Sequence, residues 1–458
     1  MHSIHTQLRH RQQGSSRGWL IALIAVVVIG ALVLWSLKGP GPTDFATGPT
    51  VDLAAYQAGN PTGVPPSLAG ESAVKRGEYL ARAADCLVCH TAHGGAPYAG
   101  GVGFALPFGT LYSTNITPDR DSGIGAYSDE EFLAAVRRGV RRDGTRLYPA
   151  MPYASYTYMT DADALAIKAY LFSLAPVSAP ARANTLGFPY NQRWLMAFWS
   201  GLFNANQRFR PNPQQSPEWN RGAYLAEALA HCGECHTPRN LAYALDGRHK
   251  FAGAVTGGWH AYNITAAPAA GIGAWSDEDV LAYLQHGHAA GHGTAAGPMG
   301  EAVDESFSRL DPADLQALVT YLRSVPAIST PAFAAQLAGP ASLSHRDGPS
   351  GDALGKQIYE GACASCHGWS GESPVSGFAT LTGARAVNDP HATNVVQVVI
   401  AGVDRSTPEG ILPMPAFGES YSDTEIAAVA NYVTARFGST PSALSAHDVA
   451  DLRRQSAE

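Results

Sequence analysis

The chain has few cysteines for its length, few charges, and no glycine fingerprint of a nucleotide site. Only six of its 458 residues are cysteine and only six are methionine. Charged residues make up 15%, and acids outnumber bases 38 to 31, for a net charge of −7. A nucleic-acid partner requires clustered positive charge, so that class is excluded. No dinucleotide glycine motif is present, and no flavin or molybdenum site is legible. The chain therefore reads as carrying no catalytic residues of its own. Apart from one stretch near the N-terminus, nothing reaches 18 uninterrupted apolar residues.

What cysteine there is falls into one pattern, three times over. It reads Cys86-Leu87-Val88-Cys89-His90, Cys232-Gly233-Glu234-Cys235-His236 and Cys363-Ala364-Ser365-Cys366-His367. C-x-x-C-H is the attachment signature of c-type haem. Two thiols bond to the vinyl groups of one porphyrin, and the adjacent histidine sits under the iron. A thioredoxin-like motif does not need the histidine. A four-cysteine zinc site would orphan one pair, and structural disulfides leave the histidine unexplained. The pattern predicts three covalently bound haem c groups on Cys86/Cys89, Cys232/Cys235 and Cys363/Cys366. His90, His236 and His367 are then the first axial ligands.

The three motifs head internal repeats. KRGEYLARAAD, NRGAYLAEALAH and GKQIYEGA precede the cysteines, each with a glycine and an apolar-periodic helix. Between the first two repeats the likeness continues in register. Asn115-Ile116-Thr117 matches Asn263-Ile264-Thr265, Gly139 matches Gly287 and Met151 matches Met299, all at an offset of 148 residues. A constant offset over a whole segment marks a duplicated folded unit.

Each repeat also carries a methionine beside proline. Met151, Met299 and Met414 follow their histidines by 61, 63 and 47 residues. Their contexts are Pro149-Ala150-Met151-Pro152, Pro298-Met299-Gly300 and Pro413-Met414-Pro415. Proline stiffens a loop, and a thioether is a soft ligand that suits low-spin haem iron. Met151, Met299 and Met414 are thus the expected second axial ligands. His286, His288 and His292 are rivals to Met299. Arg137, Arg138, Arg141 and Arg142 read mainly as a solvated face rather than as propionate partners. Asn115 and Asn263 fit equally a propionate contact or an ordinary turn.

After each methionine comes a capped amphipathic helix, starting at Thr160-Asp161, Asp311-Pro312 and Ser422-Asp423. Opening helix, haem motif, methionine loop and closing helix make a small all-α unit, with the porphyrin supplying much of its core. The expected organisation is a basic cytoplasmic segment (1–18), a transmembrane signal anchor (19–37) and a linker (38–68). Three tandem cytochrome c-like domains follow at 69–180, 214–328 and 351–438. Between them lie an aromatic-rich linker (181–213) and a second linker (329–350), and a polar tail closes the chain (439–458). The aromatic linker, Phe188 to Phe203, predicts packing between units or a docking face.

The segment Trp19–Leu37 is 19 nearly unbroken apolar residues, about 28 Å as a helix and close to one bilayer core. It is longer than a secretory h-region, and no A-x-A cleavage site follows. Arg9, Arg11 and Arg17 before it predict the N-terminus inside. The expected location is the bacterial inner membrane, with the haem units on the periplasmic side.

The segments Tyr112–Asp119, Gly123–Asp129, Leu147–Tyr153 and His231–Asn240 resemble one family. It is the triple-haem cytochrome c subunit of bacterial membrane-bound dehydrogenases, which serves alcohol, gluconate, sorbitol, fructose and aldehyde dehydrogenases. The likeness spans roughly residues 70–438. It implies a subunit that takes electrons from a separate catalytic dehydrogenase of flavin, quinoprotein or molybdenum type and passes them to ubiquinone or a terminal oxidase. By position it implies the ligand pairs His90/Met151, His236/Met299 and His367/Met414. The N-terminal anchor and polar C-terminus depart from the family pattern. Two other functions fit the residues. One is a tethered shuttle between a quinol-oxidising complex and an oxidase or reductase. The other is a haem enzyme with one open iron, with Met299 the first ligand in question.

Overall fold

The computed structural model describes residues 16–329, 353–407 and 410–456. Most of the basic N-terminal segment and of the second linker lies outside the described residues. Ser16–Lys38 forms a helix with Trp19, Leu20, Ile21 and Trp35 among its exposed side chains. Among the described residues, no helix is long and apolar enough to cross a membrane.

Each unit begins with a helix whose glycine lies at a crossing. The opening helices are Ala73–Ala83, Pro217–Tyr224 and Ala353–Ile358. They pack on the closing helices Asp161–Ser173, Pro312–Ser324 and Asp423–Phe437. A Cβ at Gly77, Gly222 or Gly355 would overlap the carbonyl oxygen of Ala166, Ala317 or Ala428 respectively. The backbones come so close that only glycine fits, which is why each repeat carries one. The closing helices start as their sequences predict. Thr160 accepts from the Asp163 N–H, Asp311 from Ala313, and Ser422 makes a full capping box with Glu425.

The cysteine motifs form single helical turns, Cys86–Cys89, Gly233–His236 and Ala364–His367. In the second and third units the opening helix widens into a π-turn just before them, at Leu225–Leu229 and Tyr359–Cys363. Such widening is common where a helix must aim residues at a site. In the first two units, the residue before the first cysteine has a positive φ, 53° at Asp85 and 38° at His231. Neither is glycine, so the turn is held in a costly conformation by its surroundings.

The duplication is visible in the middle of the units. Helices Asp129–Arg138 and Asp277–His286 share the offset, both carry serine capping boxes, and both end on a left-handed glycine, Gly139 and Gly287. The fold is not purely helical. Among the described residues, four antiparallel two-stranded hairpins pair Gly103–Leu106 with Gly109–Tyr112, Ala254–Thr256 with Trp259–Ala261, His288–Ala289 with Gly293–Thr294, and Val403–Thr407 with Gly410–Met414. The ladders are too short to raise a periodicity-2 signal.

One apolar core runs through the first two units, from Leu80 and Ile167 to Leu225 and Leu318. The third unit has two smaller cores, around Tyr359 and Val429 and around Val396 and Ile426. The C-terminal segment forms a helix, Ala446–Ser456, that packs on Asp423–Phe437 and Thr393–Ala401. Leu195–Phe203 in the aromatic linker is also helical. Its inner face packs, with Trp199 donating to the Ala242 carbonyl at 2.9 Å and its ring 5.9 Å from that of Tyr153. Its outer face leaves Phe198 66% exposed.

Candidate haem sites

The three motif histidines share one geometry. His90 Nδ1 lies 2.6 Å from the Thr114 carbonyl oxygen. His236 Nδ1 lies 2.6 Å from that of Tyr262, and His367 Nδ1 lies 2.6 Å from that of Ala379. A carbonyl oxygen only accepts, so in each ring Nδ1 carries the proton and donates. The lone pair is then on Nε2, free for a metal. This backbone contact is how proteins fix the tautomer and aim of a ligating histidine. Burial holds all three imidazoles below their ordinary pKa, His236 at about 4. They are therefore neutral at pH 7.

The six cysteines are unpaired thiols. Burial pushes Cys86 and Cys232 up to about 12, and Cys235 and Cys363 up to about 11. Cys89 is raised further, chiefly by burial, with Asp85 and Cys235 adding to it. Thiols this hard to ionise are poor redox nucleophiles. Two thiols and a neutral, oriented imidazole on one helical turn fit the donor set of covalent haem c. Among the described residues, no cluster of three His, Cys, Asp or Glu side chains is placed to hold a bare metal ion.

The methionines sit on three different backbones. Met151 is in a turn, its N–H donating to the Tyr148 carbonyl at 3.1 Å. Met299 is in the first turn of helix Gly297–Glu305 rather than in a loop. Met414 ends a strand and pairs with Val403. Met151 and Met299 pack on the same core as Cys86 and Cys232. Of the rival histidines, His288 stacks on Phe378 at 4.6 Å and His292 on Trp275 at 3.9 Å, so both rings are engaged elsewhere.

Asn115 and Asn263 resolve as turn residues. Asn115 accepts from the Thr117 N–H and donates to the Val177 carbonyl. Asn263 accepts from the Thr265 N–H and donates to the Ile328 carbonyl. Both amides tie the loop after the proximal carbonyl to the irregular segment beyond the closing helix. Arg137 departs from the solvated-face expectation. It is buried and paired with Asp161, because the closing helix starts beside it.

Sequence reasoning missed the proximal carbonyls of Thr114, Tyr262 and Ala379, since any residue supplies a backbone oxygen. The offset of 148 aligns Thr114 with Tyr262 and was the available signal. Tyr262 differs from Thr114 in having side-chain partners from the third unit. Arg385 lies over its ring at 4.7 Å, and its hydroxyl donates to Asp389 at 3.3 Å.

This fold and its histidine sites define a c-type cytochrome, a carrier of electrons through covalently bound haem. The family model described as "Cytochrome c" matches residues 74–175, and that of the cbb3-type cytochrome c oxidase subunit III matches residues 352–433. The fructose dehydrogenase cytochrome subunit of Gluconobacter japonicus is 40% identical over 416 residues, covering 86% of this chain and 85% of that protein. The gluconate 2-dehydrogenase cytochrome c subunit of Pantoea cypripedii is 38% identical, with 84% and 90% covered. The cytochrome c subunit of the quinone alcohol dehydrogenase of Gluconobacter oxydans is 36% identical, with 84% and 83% covered. The chain belongs to the family of cytochrome c subunits of membrane-bound dehydrogenases. It is the electron-transfer subunit of such a complex, and its partner is a catalytic dehydrogenase.

Proposed function

We propose that this subunit carries three haem c groups, ligated by His90/Met151, His236/Met299 and His367/Met414. It relays electrons from its catalytic dehydrogenase to ubiquinone or a terminal oxidase. The threefold His Nδ1-to-carbonyl contact carries this reading, because one geometry repeated at all three motifs aims three Nε2 lone pairs. Haem supplies the one-electron chemistry; the protein sets potential, spacing and docking. Burial of the histidines and the soft sulfur of methionine both favour reduced iron and a raised potential. The apolar sequence Trp19–Leu37 with the basic residues before it supports a place for this subunit at the inner membrane, with the haem units outside.

The test uses native membranes without oxygen. An alcohol, an aldehyde, gluconate and a sugar alcohol are added in turn while haem c absorption is followed. Rapid reduction by one of them, lost on deletion of this gene, is expected. Reduction by a quinol alone would overturn the dehydrogenase-to-quinone direction.

A further inference from the structure

The third unit reaches into the second at the segment that carries Met299. Arg405, on the hairpin that ends at Met414, is only 3% exposed. Its Nη1 donates to the Gly300 carbonyl at 2.6 Å. Its Nη2 donates to the His286 carbonyl at 3.1 Å and lies 3.1 Å from Asp304 Oδ1. A buried guanidinium is costly unless its donors are met. Here the second unit meets both terminal nitrogens with two carbonyls and a carboxylate, while Nε is buried without a hydrogen-bond partner among the described residues.

The socket is shaped for this one side chain. A Cβ on Gly287 would overlap Nη2, and a Cβ on Gly300 would lie 3.1 Å from Nη1. The partners themselves surround the methionine. Gly300 is the next residue, Asp304 is on the same helix, and His286 ends the helix before it.

The duplicated unit shows what Arg405 replaces. In the first unit the space beside Gly139 is taken by Tyr153, whose Cε1 would be 2.5 Å from a Cβ there. Tyr153 follows Met151 by two residues and belongs to the same unit. At the offset of 148 its counterpart is Glu301. The second unit has lost the aromatic plug, and the third unit supplies Arg405 in the equivalent place beside Gly287. On the other side of the same site, the third unit's Arg385 and Asp389 flank Tyr262, whose carbonyl holds His236.

We propose that Arg405 is a positioning residue for Met299, so that methionine ligation of the second haem is completed by the third unit. This rests on the reading of His236 and Met299 as an axial pair. The consequence is that the second haem holds its potential only while the third unit is docked.

The test uses the full-length haem-loaded protein and the variants Arg405→Gln, Arg405→Lys, Asp304→Asn and Met299→Leu. Three quantities are read: haem c per chain, the weak far-red band that a thioether gives ferric haem, and the individual potentials. Arg405→Gln is expected to keep its haem, lose roughly a third of the band and lower one potential of three. Arg405→Lys keeps the charge without the fork and falls between it and the parent. Asp304→Asn loosens the guanidinium without removing it, and should act in the same direction even where Arg405→Gln does not accumulate. Met299→Leu should lose the same share of the band. If Met299→Leu loses it while the Arg405 and Asp304 variants keep the full band and all three potentials, Arg405 is merely structural and the proposal falls. If Met299→Leu keeps the band, the axial reading itself falls and takes the proposal with it.

Discussion

Tyr79 in the opening helix of the first unit donates to Asp314 in the closing helix of the second, at 2.5 Å. Tyr224 in the opening helix of the second donates to Asp163 in the closing helix of the first. The exchange is reciprocal, as at a two-fold interface between identical subunits. The duplicated units pair as a fused dimer, and their shared core follows from it. The same pairing sets the short helix Tyr153–Tyr156 of the first unit against the second cysteine turn, with Ser155 donating to Glu234 at 3.0 Å and Tyr156 against the His231 ring at 5.4 Å.

The exchange is symmetric in hydroxyls but not in charge. Asp314 also takes a forked ion pair from Arg221, at 2.8 and 2.6 Å, with the two side chains 4% and 12% exposed. Among the described residues, Asp163 takes only the Gly63 N–H at 2.9 Å beside its tyrosine. Asp314→Asn strands a buried guanidinium and should cost about 3–5 kcal/mol. Asp163→Asn weakens hydrogen bonds from two uncharged donors and strands no buried cation, and should cost about 1–3 kcal/mol. Urea unfolding of the two variants checks the order; equal losses would mean that the ion pair adds nothing beyond its hydrogen bonds.

The crossing glycines predict a contrast within one helix. Gly355→Ala drives a methyl into the Ala428 carbonyl and should destabilise the third unit by about 1–3 kcal/mol or more. Gly361, six residues on, meets nothing within 4 Å and is exposed. Gly361→Ala should be neutral, or stabilise by about 0.4–1 kcal/mol through the unfolded chain. Thermal melts with haem c content per chain decide it. A Gly355→Ala protein as stable as Gly361→Ala would show that the helices can move apart at no cost.

Asp85 ties stability to pH. Burial pushes its carboxyl up to about 8, with Glu301 and Glu305 adding to the rise. Its Oδ1 is buried without a hydrogen-bond partner among the described residues. The folded value lies above the unfolded one, so the neutral acid is the form the fold favours. Its stabilising contribution is full below the unfolded value of 3.8 and is lost as pH rises through about 8. Asp85→Asn keeps the shape and removes the titration. The melting temperature of the variant should gain on the parent as pH rises from about 5 to about 8 and then level off. Parallel curves across that range would mean that Asp85 is ionised in the fold.

Much of the site was legible because its chemistry lies in side chains at fixed spacing. C-x-x-C-H names both candidate thiols and the candidate proximal histidine without any fold. The glycines, the closing-helix caps and the 148-residue offset reported the helices and the duplication. What stayed hidden depends on backbone atoms or on contacts across units. The carbonyls of Thr114, Tyr262 and Ala379 have no residue code. The Tyr79–Asp314 exchange spans 235 residues, and Arg405 reads in sequence as an ordinary charged residue on a hairpin. The hairpins were missed because two- to five-residue strands rich in glycine carry no alternation.

Met414 offers the cleanest test of axial ligation, because its unit has cores of its own. It lies on the strand Gly410–Met414, opposite Val403, and its carbonyl oxygen would be 2.6 Å from a Cβ on Gly402. The strand, not a proline loop, therefore fixes where the sulfur stands. Met414→Ala leaves Cys363, Cys366 and His367 in place, so haem should stay covalently attached. On the proposed ligation, losing the sulfur removes the ligand that raises the potential, so the third unit's haem should become harder to reduce and newly able to bind carbon monoxide when ferrous. Arg405 is carried by the partner strand of the same hairpin, so a Met414→Ala protein that keeps the hairpin should leave the other two potentials where they were. A redox titration followed by carbon monoxide difference spectra reads both effects. Three unchanged potentials with no carbon monoxide binding would show that Met414 does not bind iron.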